Sequence, residues 1–297
     1  MSNAYTYPIP ESPHPDWSRL LSALWAHGLN NPDPEQVAVH VGNVHLLEKL
    51  VATTQHRQHE PQVRPSALLS CQRQAFLFLQ GNTPEPMSGG LAPSFAIGHL
   101  QEAMARAFFY GALPPGFSLT HDTAVPLPSW WPVDHPKFAK QGTNDFTIRV
   151  TDPALAAPYL DLERARPVCI FDYKTMGQIP YTTLSKCKSL ADKPDGFGYN
   201  SQLTVYGDGS VEPCDVALVG FNRNSPMQGI AVRKFGDGER AEEAHRLKTG
   251  FEMALAGVDP GLEFINRWGK QGGFYCESYC SMRHACRATP VPEAIAV

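Results

Sequence analysis

Three cysteines stand near the end of this chain as Cys276-x3-Cys280-x5-Cys286, and a fourth, Cys71, lies far upstream. Thiolates drawn from both ends of a chain constrain its fold. If the four share a metal, the segment bearing Cys71 must meet the C-terminal tail, and binding energy becomes folding energy. The first fifteen residues are polar and proline-rich, without the basic and apolar regions of a secretory leader. No apolar run approaches a membrane span. The expected location is therefore the cytoplasm, with no membrane partner. There, seven cysteines read as metal ligands or free thiols rather than a disulfide framework. Four ligands leave three others. Cys169 and Cys214 sit in apolar runs and read as small core residues, and Cys187 reads as a surface thiol. Thiolates hold both tetrahedral zinc and iron–sulfur clusters, so ligand type leaves both open.

The 297 residues, 42% of them hydrophobic, suffice for one large domain or a domain with a helical annex. Against 29 acidic residues stand 25 lysines and arginines, a formal charge of −4. No broad basic field can hold nucleic acid at a distance, so such a partner would need a local basic groove whose grip weakens with salt. Arg73, Lys186, Lys188, Lys193, Arg223 and Arg233 are the candidate phosphate contacts, Arg73 first among them.

Helical spacing over Asp16–His27 and Pro34–Thr54 predicts a helical N-terminal annex with a flexible lead, residues 1–64. Ser66–Leu79 reads as a helix carrying Cys71 and Arg73. Ser94–Tyr110 is amphipathic, with Ser94 as its N-cap. Strand-like runs follow at Phe117–Leu127, Lys140–Val150 and Pro167–Lys174. Phe197–Tyr206 reads as a helix, Cys214–Asn222 and Gly229–Phe235 as strands, and Arg240–Ala256 as a helix. This order predicts an α/β core with a mixed sheet.

Two segments carry the chemistry. Gly142-Thr143-Asn144-Asp145 places an acid at the start of one strand, and Asp172-Tyr173-Lys174 ends another. If the strands are neighbours, Asp145 and Asp172 meet. Two carboxylates with the backbone carbonyl of Tyr173 suit a hard cation such as Mg²⁺ or Mn²⁺, and Lys174, two residues from Asp172, shares its face. On the preceding helix Gly98-x3-Glu102 offers a small residue for close packing and a third carboxylate, with His99 as an outside alternative. Gln202-x3-Tyr206 places an amide and a phenol one turn apart.

Taken in order, Gly98-x3-Glu102, Asp145, Asp172-x-Lys174 and Gln202-x3-Tyr206 resemble the RecB-like branch of the PD-(D/E)xK nuclease superfamily. Ser66-x4-Cys71-x-Arg73-x2-Phe76 and the terminal cysteines narrow this to the four-cysteine iron–sulfur exonucleases associated with CRISPR systems and phages. The likeness runs from Ser66 to Arg287. It implies a restriction-endonuclease-like core over residues 65–297, closed by a cysteine-cluster subdomain that joins Cys71 to residues 276–286. It implies a DNA exonuclease acting at single-stranded or free ends, in a bacterial, archaeal or phage-infected cell. Glu102, Asp145 and Asp172 would hold Mg²⁺ or Mn²⁺, Lys174 would assist the water, and Gln202 and Tyr206 would support them. Cys71, Cys276, Cys280 and Cys286 would ligate a structural 4Fe–4S cluster, with zinc as the alternative. The annex would meet a recombination, replication or CRISPR protein. Two positions depart from the family pattern: Glu102 replaces a histidine, and three residues instead of two separate Cys276 from Cys280. The rival expectation is a non-catalytic nucleic-acid-binding or adaptor module on the same fold.

Overall fold

The computed structural model describes residues 5–41, 62–67, 71–85, 92–187, 198–224, 229–261 and 280–289. Its elements in chain order are α1 (Trp17–Asn30), α2 (Pro34–His40), α3 (Gln72–Leu79), α4 (Ala92–Ala112), β1 (Phe117–Val125), β2 (Gly142–Val150), α5 (Pro153–Ala156), β3 (Val168–Met176), α6 (Gln178–Lys186), α7 (Tyr199–Gly209), β4 (Cys214–Asn222), β5 (Ile230–Phe235), α8 (Asp237–Leu255) and α9 (Arg283–Ala288). No helix among the described residues is long and apolar enough to cross a membrane.

The five strands form one mixed sheet in the order β1-β2-β3-β4-β5. Antiparallel neighbours join β1 to β2, β2 to β3 and β4 to β5, whereas β3 and β4 run parallel. A parallel pair needs a crossover, and the segment carrying α6 and α7 supplies it. The nine residues of β4 are all buried, as expected for a strand covered on both faces. Alternation divides the sheet. Cys169, Phe171 and Tyr173 point into a core shared with α1 and α4. Val168 and Ile170 point into a second core, with Leu184 of α6 and Leu203 and Tyr206 of α7. A third core gathers Phe76 of α3, Phe251 of α8, Trp131, Phe138 and the tail around Met282. The architecture is α/β, a five-stranded mixed sheet flanked by helices.

Three expectations are corrected here. The region expected to be an annex is helical in α1 and α2 but is not set apart. Asp16 caps α1 by accepting from the Arg19 N–H at 2.9 Å. The helix then buries Trp17, Leu20, Leu21, Leu24 and Trp25 in the same core as the sheet. Gly28 brings α1 so close to α4 that a Cβ there would lie 2.6 Å from the Phe108 carbonyl oxygen. Residues 42–61, the rest of the expected second helix, lie outside the described residues. Second, the helix expected from Ser66 begins at Gln72, with Cys71 as its N-cap residue. Third, α4 starts at Ala92, ahead of the expected N-cap Ser94. Helices α5, α6 and α9 have no counterpart among the expected elements.

Candidate active site

The β2–β3 ladder ends at the pair Phe146–Phe171. One residue further, where Asp145 and Asp172 would come opposite each other, the Asp145 carboxylate replaces the backbone partner. Its Oδ2 accepts the Tyr173 N–H at 2.9 Å. Strand residues direct their N–H and C=O to the same side, so the Tyr173 carbonyl also faces Asp145. Tyr173 sends its ring the other way, into the core beside Trp25 and Phe221. The expected meeting of the two aspartates is thus what the sheet produces.

Lys174 lies between them. Its Nζ is 2.7 Å from Asp172 Oδ2 and 3.7 Å from Asp145 Oδ2. Asp172 is fully buried, and its Oδ2, although ion-paired, makes no hydrogen bond of good geometry. Burial, then the charge of Asp145, pushes the Asp172 pKa well above the usual carboxylate range, against the pull of Lys174. Burial also works against the Lys174 charge, but Asp172 and Asp145 outweigh it and its pKa is raised. One ammonium thus faces two carboxylates in an enclosed place. The surplus negative charge is relieved by a proton or by a second cation, so the donor set fits a hard divalent ion.

From α7, Gln202 donates its side-chain amide to Asp172 Oδ1 at 3.0 Å and to the Tyr206 hydroxyl at 3.1 Å. Tyr206 in turn donates to the Thr143 carbonyl at 2.6 Å. Burial, then the Asp172 charge, raises the Tyr206 pKa, so the phenol stays protonated and able to donate. A Cβ at Gly142 would lie 2.9 Å from the Tyr206 ring, so the bare backbone there lets the ring reach β2. Tyr199, at the start of α7, places its ring 6.0 Å from Lys174 Nζ. Asp145, Asp172, Lys174, Gln202 and Tyr206 therefore converge.

Glu102 does not join them. Its carboxylate pairs with Arg106 one turn on, and its Oε2 lies 3.8 Å from His99 Nδ1. Burial alone would raise its pKa, but His99 and Arg106 together bring it down to about 2. Helix α4 covers the Tyr173 and Thr175 side of the sheet, where Thr175 donates to Gln101 at 2.7 Å, whereas Asp172 faces α7. His99 is committed with Glu102 and is likewise away from the aspartates. Among the described residues, no three His, Cys, Asp or Glu side chains form a metal-holding group. Gly98 is not demanded by packing either, since an added Cβ would meet Thr175 Oγ1 at an ordinary 3.8 Å. Arg106 was missed in the sequence. Its Nη2 also reaches Asp122 at 3.0 Å, and Asp122 sits at φ +49°, a left-handed conformation uncommon outside glycine.

Cys280 and Cys286 pack beside the third core, to which α3 contributes Phe76. Arg73 donates to Cys286 Sγ at 3.3 Å, and Gln74 donates to Cys280 Sγ at 3.1 Å. Cys71 begins the same helix, and Cys276 lies outside the described residues. Burial raises the Cys280 pKa, against the pull of the hydrogen bonds from Gln74 and the Met282 backbone. Cys169 and Cys214 are buried in the sheet as expected. Cys187 is half-buried, its thiol donating to the Leu184 carbonyl at 3.1 Å. Arg73, the favoured phosphate contact, is corrected: it is 1% exposed and bound to Asp259, so it cannot meet a ligand in solvent. Arg233 is tied to the Cys187 carbonyl at 2.6 Å. Lys188 and Lys193 lie outside the described residues.

No protein-family model and no curated protein matches this chain. Among solved structures, the crystal structure of SSO0001 is similar over 82% of this chain and 95% of that chain, at 14% identity and a TM-score of 0.41.

Proposed function

We propose that this chain is a metal-dependent deoxyribonuclease with a RecB-like PD-(D/E)xK core, acting as an exonuclease at free, single-stranded ends. The observation that carries the reading is the placement of Lys174 between Asp145 and Asp172 at the end of the β2–β3 ladder. Two acids and a lysine on adjoining strands are what phosphodiester hydrolysis asks of a protein, provided a cation is present to balance the second acid.

Asp145, Asp172 and the Tyr173 carbonyl would hold Mg²⁺ or Mn²⁺, which when bound polarises the phosphate and makes water more acidic. Lys174 presents a fixed positive charge beside the carboxylates, suited to orienting the attacking water and stabilising charge that develops on the phosphate. Gln202 fixes Asp172 Oδ1, leaving Oδ2 to be shared between Lys174 and a metal ion, and Tyr206 fixes Gln202 through the Thr143 carbonyl. Such supporting bonds tune metal affinity by holding the carboxylate in one orientation. Glu102 stands outside this pair and would join it only by leaving Arg106.

The second part of the reading is a structural metal centre on Cys71, Cys276, Cys280 and Cys286, an iron–sulfur cluster in preference to zinc. The donors aimed at two of the sulfurs support it. Cys280→Ser is expected to lower stability and solubility more than it alters catalysis.

The test is degradation of end-labelled linear and closed-circular single-stranded DNA with Mn²⁺, comparing the protein with Lys174→Ala. Cutting of the linear form only, lost in the variant, is the expected result. Absence of cutting, or equal cutting by the variant, would replace this reading with the binding-module one.

A further inference from the structure

Two consecutive residues of α3, Arg73 and Gln74, are 1% and 4% exposed. Polar groups this deeply buried are costly unless every donor finds an acceptor. Each of the two nevertheless directs a donor at a different sulfur, Arg73 at Cys286 and Gln74 at Cys280. These partners lie more than two hundred residues away along the chain. A neutral thiol is a weak acceptor, whereas a thiolate is a strong one.

The guanidinium is placed for this. Its Nε binds both oxygens of Asp259, at 2.8 and 3.1 Å. The carboxylate thereby balances the buried charge and fixes the plane of the group. Its remaining nitrogens reach the Cys286 carbonyl at 3.3 Å, Cys286 Sγ at 3.3 Å and the Thr289 carbonyl at 3.1 Å. The carbonyl contacts close the C-terminal end of α9 and would serve a purely structural clamp. Contact with both sulfurs, from two different side chains, goes beyond what a clamp requires.

We propose that Arg73 and Gln74 are positioning residues of the cysteine metal centre, donating N–H···S hydrogen bonds to the metal-bound thiolates of Cys286 and Cys280. This rests on the cysteine-centre part of the proposed function and deepens it. The two donors orient the sulfurs before metal arrives and withdraw electron density from them afterwards. Hydrogen bonds to the sulfurs are among the determinants of a cluster's reduction potential. Losing one such donor makes the oxidised, more electron-poor cluster easier to sustain and the midpoint more negative.

The experiment uses the full chain purified anaerobically. Iron, zinc and acid-labile sulfide are counted, and the midpoint potential is followed by visible absorption and electron paramagnetic resonance. Gln74→Leu removes one donor with little change in volume. Arg73→Lys keeps the charge but loses the fork. Gln72→Leu is the control, because Gln72 donates to the Arg246 carbonyl on α8 from the same helix. The expected result is a cluster retained in Gln74→Leu with its midpoint shifted to more negative potential, and an unshifted midpoint in Gln72→Leu. Arg73→Lys is expected to lose part of its iron. If Arg73→Lys does not fold, Gln74→Leu carries the test alone. A cluster whose midpoint is unchanged in Gln74→Leu overturns the proposal while leaving the iron–sulfur reading intact. If the protein holds zinc and no iron, the iron–sulfur reading fails, and zinc release to a chelator becomes the readout. Release several-fold faster from Gln74→Leu than from Gln72→Leu then supports the donors, and equal rates overturn them. A protein holding neither metal overturns both.

Discussion

Gln202 on α7 donates its side-chain amide to Asp172 Oδ1 on β3 at 3.0 Å, joining a helix to the acid at the end of a strand. Asp172 is fully buried, so this oxygen has no water to fall back on. Gln202→Leu removes the donor and leaves a buried acceptor unmet, which costs about 1–3 kcal/mol of stability. Under the proposed nuclease function, loosening the carboxylate is expected to lower Mn²⁺-dependent cleavage by roughly 10–100-fold. Thermal melting and a Mn²⁺ titration of nuclease rate check the two effects separately. Unaltered cleavage would remove Gln202 from the site.

Lys174 balances a buried carboxylate. Lys174→Met is expected to destabilise the metal-free protein by about 3–5 kcal/mol, because one partner of an enclosed ion pair is left alone. Mn²⁺ should then raise the melting temperature of this variant more than that of the parent. Magnesium or manganese that moves neither melting temperature would show that the aspartates hold no cation.

Under the proposed function, the raised Asp172 pKa makes proton and metal competitors for one carboxylate. A raised pKa means the neutral acid persists to higher pH, so a cation binds better as pH rises through that value. Divalent-dependent stabilisation, measured as the difference in melting temperature with and without Mn²⁺, is expected to grow with pH. A difference independent of pH contradicts the competition.

Glu102 behaves oppositely. Its pKa falls from 4.5 to about 2 in the folded protein, so its contribution is complete above the unfolded value and lost as pH falls toward the folded one. The carboxyl is 20% exposed, and the shift corresponds to roughly 3 kcal/mol. Urea unfolding from about pH 5 down to about pH 3 should show the parent losing stability faster than Glu102→Gln. Parallel pH profiles would mean that Arg106 and His99 do not hold the acid as described.

Trp25 tests whether the N-terminal helix belongs to the core. Its ring packs against Phe108 at 5.2 Å and Phe221 at 5.4 Å between centroids. Trp25→Ala is expected to cost about 3–5 kcal/mol, measured by chemical denaturation. A separable annex would instead leave the unfolding midpoint of the remaining chain untouched.

Much of the fold was legible because its signals are local. The alternation at Phe146, Ile148 and Val150 marked β2 by its two-residue period, and the unbroken apolar run Val168–Phe171 marked β3 as a strand buried on both faces. The same period placed Asp172 and Lys174 on one face and Tyr173 on the other. Gln202 and Tyr206 could be paired by helical spacing alone. The helices α5 and α9 escaped because they span too few turns to display a period, and α6 because it buries only Tyr181 and Leu184, too few to mark an apolar face. Nothing in the sequence around Glu102 announced that Arg106 would take its carboxylate, although the four-residue spacing of an acid and an arginine was there to be read as a helical ion pair.

The order and type of the long elements, and the face on which each strand residue projects, were determined by the sequence itself, through turn chemistry and periodicity acting over a few residues. Partner choice was decided only by tertiary structure. Whether Arg73 meets a phosphate or Asp259, whether Glu102 meets Asp172 or Arg106, and whether α1 stands apart or packs on α4 and β5 depend on segments far away in the chain. A charged side chain has many acceptable neighbours. Only the packed sheet and helices fix which is close enough, and dry enough, to hold it.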